Sequence, residues 1–521
     1  MNVDTIAADP SHDRAFFGHP KGLSTLFFTE MWERFSFYGM RAILMLYMTS
    51  ATAIGGLGWK PAEAAPIYAL YAASVYFLPL IGGWIADRFI GAKRATFVGG
   101  VIIMFGHFTL AFATITTFYL GLILVAVGTG FLKSNISAMV GDLYTREDTR
   151  RDAGFSVFYM GINLGAFIAP LVVGFLAQAE GFRSWIGGMG IDPNMSWHFG
   201  FGAAGIGMFF GLVQYYLGRR SLANVGEVPQ PEPSALQKKE DGISTAYIVQ
   251  MVGLIVIAAA VIGGTAYFKG VTDAISYVLM PTVLIAGLLG VLFTGMQDKL
   301  TIDDWKRLAV LMILFAFSTL FWMGFEQAAT SFNLFANQLT DNRIFGWEFP
   351  ASWLQSVNAI LIIIFAPIIG WVWMKLGKRQ PADAVKFAIG LFMAGVGFVV
   401  VAYAASLTTG GKVSPMWLVL VYWCHTIGEL CLSPVGLSSM TKLAPSRMVS
   451  LMLGVWFLSI SMGNYVAGRI AGEFEAKADV LTNIFTIVAV ILIVAALVLF
   501  AISPLVKKLY TEPEEMVPME P

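Results

Sequence analysis

Apolar residues run along this chain in long stretches, broken by short gaps that are charged or rich in Gly and Pro. A membrane-crossing helix needs about 20 mostly apolar residues. By that measure fourteen segments are predicted to be spans: 22–50, 64–89, 93–114, 118–143, 153–180, 197–218, 245–267, 275–296, 306–334, 350–377, 384–406, 415–440, 446–474 and 481–508.

The basic residues test this map. With the N-terminus placed inside, the outer loops hold six of the 33 Lys and Arg: Lys60, Arg183, Lys269, Arg343, Lys412 and Lys477. Five more, Arg34, Arg41, Lys133, Lys386 and Arg469, lie in helices or at their ends, and the remaining 22 fall on the inner side. Such a bias marks the cytoplasmic face. It predicts fourteen spans with both termini cytoplasmic. Residues 1–20 are polar and include Asp4, Asp9 and Asp13, so no cleavable signal is expected and the first helix would direct insertion.

Composition agrees. Hydrophobic residues make up 57% of the 521, and charged ones 13%, about half the usual charged share. A soluble fold of this size would have too little polar surface to cover itself. Net charge is zero, so composition suggests no nucleic-acid or acidic partner. Cys424 and Cys431 are seven residues apart on one face of a span, too far for a disulfide, and read as core residues.

The chain also repeats itself. Residues 83–94 read GWIADRFIGAKR and residues 370–379 read GWVWMKLGKR. If each joins the second and third helices of a six-helix half, the division is a tail 1–21, a bundle 22–220, a polar linker 221–244, two additional spans 245–296, a second bundle 297–508 and a tail 509–521. Repeated halves around a central cavity are a recurring design of transporters.

Charges within the spans carry the functional signal. The first span holds Glu30, Glu33, Arg34 and Arg41. Each charge costs about 2.5–3.5 kcal/mol at the centre of a membrane helix, so these must face one another or a polar cavity. Glu30, Arg34, Tyr38 and Arg41 form one helical stripe, with Glu33 beside it. Internal salt bridges that merely tie helices together are the plainer alternative. Further along come Lys133, Asn163, Glu326, Asn358 and Glu429. The asparagines also suit interhelical hydrogen bonding, whereas unpaired ions in a membrane are costly enough to imply a role. The first half supplies Arg34, Arg41 and Lys133, and the second supplies Glu326 and Glu429. A cavity between the halves would be cationic on one wall and acidic on the other, which suits a zwitterion. The same charges could equally pair across the cavity as gates. Tyr38, Tyr68, Tyr71, Tyr76, Trp322 and Trp456 are candidate wall residues, though each singly reads as packing.

These residues resemble the proton-dependent oligopeptide transporter family, bacterial type, of the major facilitator superfamily, over about residues 20–505. The ExxERF motif stands at Glu30, Glu33, Arg34 and Phe35 and runs on to Tyr38, Gly39 and Arg41. The superfamily's loop motif stands at Gly83, Asp87, Arg88, Gly91 and Arg94, followed by GTGFLKSN, RRDAGFSVFYMGINLGAFIAP and GELCLSPVG.

The resemblance implies an all-α membrane protein with the major facilitator fold: two six-helix bundles plus two extra helices between them. It implies a proton-coupled symporter that imports di- and tripeptides by alternating access. No cofactor is implied beyond the proton. The partners implied are peptide, proton and lipid bilayer, in a monomer at the plasma membrane (the bacterial inner membrane).

By the same resemblance Glu30, Glu33 and Arg34 couple protons. Arg34, Arg41 and Lys133 lie near the peptide carboxylate, and Tyr38, Tyr76 and Asn163 contact its backbone. Glu326, Asn358 and Glu429 face its amino end, and Trp322 and Trp456 shape side-chain pockets. Arg41–Glu326 resembles an extracellular gate and Lys133–Glu429 a cytoplasmic one.

Two departures stand out. Position 37 is Phe where some bacterial members carry Tyr, and residues 64–89 lack the histidine of animal members, so coupling would rest on carboxylates. Alternatives stay open at this level: a small-anion transporter, in which Glu326 and Glu429 would have no binding role, and an exporter of the same fold. A membrane enzyme is disfavoured. His12, His19, His107, His198 and His425 are scattered, and no HExxH, GxSxG or Walker motif is present.

Overall fold

The computed structural model describes residues 13–145, 148–222, 225–227, 278–297, 300–445 and 448–510, with scattered positions between 249 and 265. The first half holds α1 (Lys21–Thr49), α2 (Pro61–Ile85), α3 (Ala92–Leu110), α4 (Ile115–Asp142), α5 (Arg151–Gln178), the short α6 (Glu180–Gly188) and α7 (Ser196–Gly218). Next comes α8 (Met280–Gln297). The second half holds α9 (Ile302–Phe325), α10 (Ser331–Leu339), α11 (Ser356–Leu376), α12 (Asp383–Ser406), α13 (Met416–Lys442), α14 (Val449–Ala471) and α15 (Ala478–Tyr510). Among the described residues, ten helical stretches are long and apolar enough to cross a membrane. The 29-residue α1 stands outside that set because of the charges it carries. Helices suit this solvent because each satisfies its own backbone polar groups.

Within the first half α1 packs on α5 and α7, α3 on α4, and α2 on α4. Small residues make the approaches close. A β-carbon at Gly82 would strike the Gly130 carbonyl, so α2 and α4 touch backbone to backbone one turn before Lys133. In the second half α12 packs on α13 and α15, and α9 on α14.

The halves meet along α2 and α14, along α5 and α11, and where α1 reaches α10. Ala69 of α2 fills the space beside Gly468 of α14. Hydrogen bonds between the halves involve Ala42, Ala73, Phe167 and Gln178 from the first half. Ala42 and Gln178 lie toward the end where α1 finishes and α2 begins, here called the upper end, and Ala73 and Phe167 lie near the middle of their helices. The lower end is the one where α1 starts.

Where the spans are described, their bounds follow the predicted ones closely, with one break. The expected continuous span 306–334 is broken. It ends as α-helix at Phe325, tightens into a 3₁₀ turn at Glu326–Ala329, and resumes as α10 after Thr330, at φ −120° and ψ −95°. The break puts a charged side chain at a helix terminus, where it reaches sideways to the other half. Of the two additional spans, the second is α8, whose Leu284 packs on Ala69 and Ala73 of α2 and on Met462 and Tyr465 of α14. The first, 245–267, and the linker 221–244 lie largely outside the described residues. Two loop elements had no counterpart in the hydropathy pattern: α6 and a hairpin pairing Arg343–Ile344 with Trp347–Glu348.

At the lower end the chain before α1 is tied to the α4–α5 loop. His19 Nδ1 lies 2.9 Å from the Tyr144 hydroxyl, and Arg150 donates to the carbonyls of Asp13 and Gly18 at 3.0 and 3.1 Å. Arg150 also pairs with Asp148 at 2.8 Å, which holds that carboxyl below its ordinary pKa.

Candidate functional site

The α1 stripe forms as its spacing predicts. Arg34 Nε lies 2.8 Å from Glu30, one turn back, and 2.6 Å from the neighbouring Glu33. All three are buried, at 4%, 2% and 0% exposure. Gly165 of α5 lies directly against this part of α1, so α5 approaches without a side chain in the way. One guanidinium thus serves two carboxylates and leaves a formal excess of negative charge. The nearest compensation is Lys133 of α4.

Lys133 makes no carboxylate contact among the described residues. Its buried Nζ has no hydrogen-bond partner among the described residues. It sits 3.5 Å from the Tyr76 ring centre and 6.0 Å from that of Phe37. An aromatic face attracts a desolvated ammonium by about 2 kcal/mol, which holds the group without neutralising it.

Arg41 and Glu326 do pair, buried, with one side chain from each half. The helix break delivers Glu326 to this point. Arg41 Nε donates to the Tyr68 hydroxyl at 3.1 Å, and its guanidinium lies 5.9 Å from the Tyr38 ring centre.

Glu429 of α13 is held by its own half. Asn358 Nδ2 donates to it at 3.2 Å and to Thr426 Oγ1 at 2.9 Å. The expected Lys133–Glu429 contact is therefore absent. The physical reason is that α4 and α13 belong to different halves, and the hydrogen bonds joining the halves lie in the upper part and the middle of the molecule.

Other candidates are placed less directly. Asn163 Nδ2 donates to the Tyr159 carbonyl of its own helix at 2.9 Å, the plainer of its two readings. Trp322 is buried with its Nε1 unbonded among the described residues. Trp456 is buried against Phe387 and fills the space beside Gly436. Thr426 was not anticipated, nor were Asn333 and Gln355, which donate to the Ala42 carbonyl. No sequence motif marks a side chain whose partner is a backbone oxygen. No group of three or more His, Cys, Asp or Glu among the described residues is arranged to hold a metal ion.

Arg41 and Glu326 cancel each other, and Arg34 is engaged by Glu30 and Glu33. What lacks a direct ionic partner among the described residues is an ammonium in the first half and a carboxylate in the second. A ligand that carries both signs could satisfy both.

Comparison with known proteins bears on this geometry. The profile of the POT family matches residues 93–488. The peptide transporter YePEPT of Yersinia enterocolitica is 40% identical over 512 residues, covering 95% of this chain and 96% of its own. A di-/tripeptide transporter of Lactococcus lactis subsp. cremoris is 37% identical over 510 residues, covering 95% and 98%. A crystal structure of a peptide transporter POT in complex with alafosfalin superposes with a TM-score of 0.80 at 39% identity, over 96% of this chain and 97% of that one.

Proposed function

This chain belongs to the POT family, with the major facilitator fold of two six-helix bundles, and we propose that it is a proton-coupled importer of di- and tripeptides. The relatives named above are peptide transporters, so the reading is transport rather than catalysis. The observation that carries the substrate class is a pair of charges without a direct ionic contact: the Lys133 ammonium on one half and the Glu429 carboxylate on the other. A peptide zwitterion offers a carboxylate to the first and an ammonium to the second. A small anion would leave Glu429 and Asn358 without a ligand.

In this reading the peptide carboxylate sits at Lys133, with Arg34 and Arg41 adding to the positive wall. Tyr38, Tyr76 and Asn163 meet the peptide backbone. Asn358, Glu429 and Glu326 receive the amino end, and Trp322 and Trp456 border its side chains. Glu30, Glu33 and Arg34 are the proton-coupling cluster. Protonating one of two carboxylates that share Arg34 weakens its hold and frees the guanidinium for the peptide, which is a differential interaction able to shift a conformational equilibrium. The upper end is extracellular and closed where Arg41 of one half meets Glu326 of the other. The lower end is cytoplasmic, with both termini on that side of a bacterial inner membrane. The Lys133–Glu429 pair forms when that end closes without substrate. The monomer is the transporting unit.

The test is uptake of labelled dialanine into proteoliposomes under an inward proton gradient. Accumulation should require the gradient, collapse with ionophore, and be blocked by unlabelled di- and tripeptides but not by free amino acids or nitrate. Gradient-independent equilibration would remove proton coupling. Competition by nitrate would replace the substrate class.

A further inference from the structure

Five hydrogen bonds that join the halves, in the upper part and the middle of the molecule, share a direction. Asn333 Nδ2 and Gln355 Nε2 both donate to the Ala42 carbonyl, at 2.8 and 3.3 Å. Ser356 Oγ donates to the Phe167 carbonyl at 2.7 Å, and Ser461 Oγ to the Ala73 carbonyl at 2.8 Å. The Ser352 backbone N–H donates to Gln178 Oε1 at 3.3 Å. In each the donor belongs to the second half and the acceptor to the first, and in each both groups are neutral.

Ala42 is the focus of this set. It follows Arg41 on α1, and its carbonyl, with two lone pairs, takes side-chain donors from α10 and from the turn ahead of α11. Asn333 is 1% exposed and lies two residues into α10, the segment that the break at Glu326–Ala329 sets off from α9. The break therefore serves two contacts at once, carrying Glu326 to Arg41 and Asn333 to the next residue's carbonyl.

A neutral amide on a carbonyl does not change when a nearby carboxyl takes up a proton. We infer that Asn333, assisted by Gln355, is the latch that holds the upper end closed, and that the adjacent Arg41–Glu326 pair senses charge without being required for closure. Neutralising Glu326 alone leaves the upper end shut. It opens when the contacts at Ala42 also let go, so substrate and proton must act on the packing of α10 as well as on the ion pair. This inference rests on the reading of the upper end as a gate.

Spin labels at two exposed upper positions, Ile54→Cys in the first half and Ile344→Cys in the second, report the separation of the halves, since native Cys424 and Cys431 are buried. Asn333→Leu with Gln355→Leu keeps much of the volume and removes both donors. Each neutral hydrogen bond is worth roughly a twofold to tenfold change in an equilibrium, so the double variant is expected to raise the open-to-closed ratio about tenfold. Glu326→Gln, whose amide keeps an oxygen for Arg41, should raise it less than the double variant does. Gln355→Leu alone, at a half-buried position, gives an intermediate shift and stands in if the double variant does not fold. The reverse ranking, with Glu326→Gln opening the upper end and the leucine variants silent, overturns the latch. Dialanine counterflow on the same samples separates the two readings: its absence in the labelled parent defeats the transport assignment, while the distances still report on the latch.

Discussion

Arg41 and Lys133 are both cations on membrane-spanning helices of the same half, and each was expected to meet a carboxylate of the other half. Arg41 does, at Glu326. Lys133 rests on the Tyr76 ring while Glu429 is held by Asn358. The first meeting lies at the upper end, where the halves are joined by hydrogen bonds and by the small-residue seam of Ala69 and Gly468. The contrast teaches that a buried charge in a moving protein has a set of partners rather than one. Which partner it has reports the state of the halves.

The largest expected effect removes the drive altogether. Glu33→Gln should abolish accumulation of dialanine under a proton gradient and leave counterflow exchange intact; retained accumulation would show that the proton acts elsewhere. Next, Lys133→Gln removes a charge-assisted contact that its aromatic seat cannot replace. Apparent affinity for dialanine, read by competition, should fall roughly 10- to 100-fold; an unchanged affinity would put the peptide carboxylate on Arg34 or Arg41 instead. Glu429→Gln should cost roughly tenfold for dialanine and little for N-acetyl-dialanine, because the acetylated peptide brings no ammonium to lose. Equal losses for the two ligands would defeat the zwitterion match. Asn358→Ala removes one neutral donor from Glu429, so affinity should drop only about two- to fivefold.

The smallest effect is at the lower surface. Arg150→Ala should leave transport unchanged and raise amide hydrogen exchange over residues 14–20. Acidification acts in the same sense. Asp148 is depressed by Arg150, so its contact is complete above the ordinary aspartate pKa and is lost as pH falls through the depressed value.

Much of this architecture was legible because lipid imposes a simple rule: about 20 apolar residues per crossing. The spans 64–89, 118–143 and 384–406 differ from α2, α4 and α12 by a few residues at their ends. The stripe on α1 was legible for the opposite reason, since charges so costly in a membrane helix announce themselves. The break at Glu326 was not, because no proline marks it and its polar residues, Glu326, Gln327, Thr330 and Ser331, are interleaved with apolar ones. It is held by tertiary contacts, Glu326 to Arg41 and Asn333 to Ala42. The choice of partner for Lys133 was not legible either. Sequence names the charges, but their pairing depends on how far apart the halves stand. The contacts at Ala42, Phe167 and Ala73 were invisible in principle, because the acceptor is a main-chain oxygen that every residue carries.

The seat of Lys133 on Tyr76 also bears on speed. A cation lifts off an aromatic ring against roughly 0.5–2 kcal/mol, whereas stripping a buried ion of its partner costs about 3–5 kcal/mol. At a factor of ten per 1.4 kcal/mol, the ammonium leaves its ring on the order of a hundred times more readily than Arg41 leaves Glu326. A peptide between the halves would find its first cation free to turn toward it at once, and the slow beat of the cycle would fall at the upper end of the molecule.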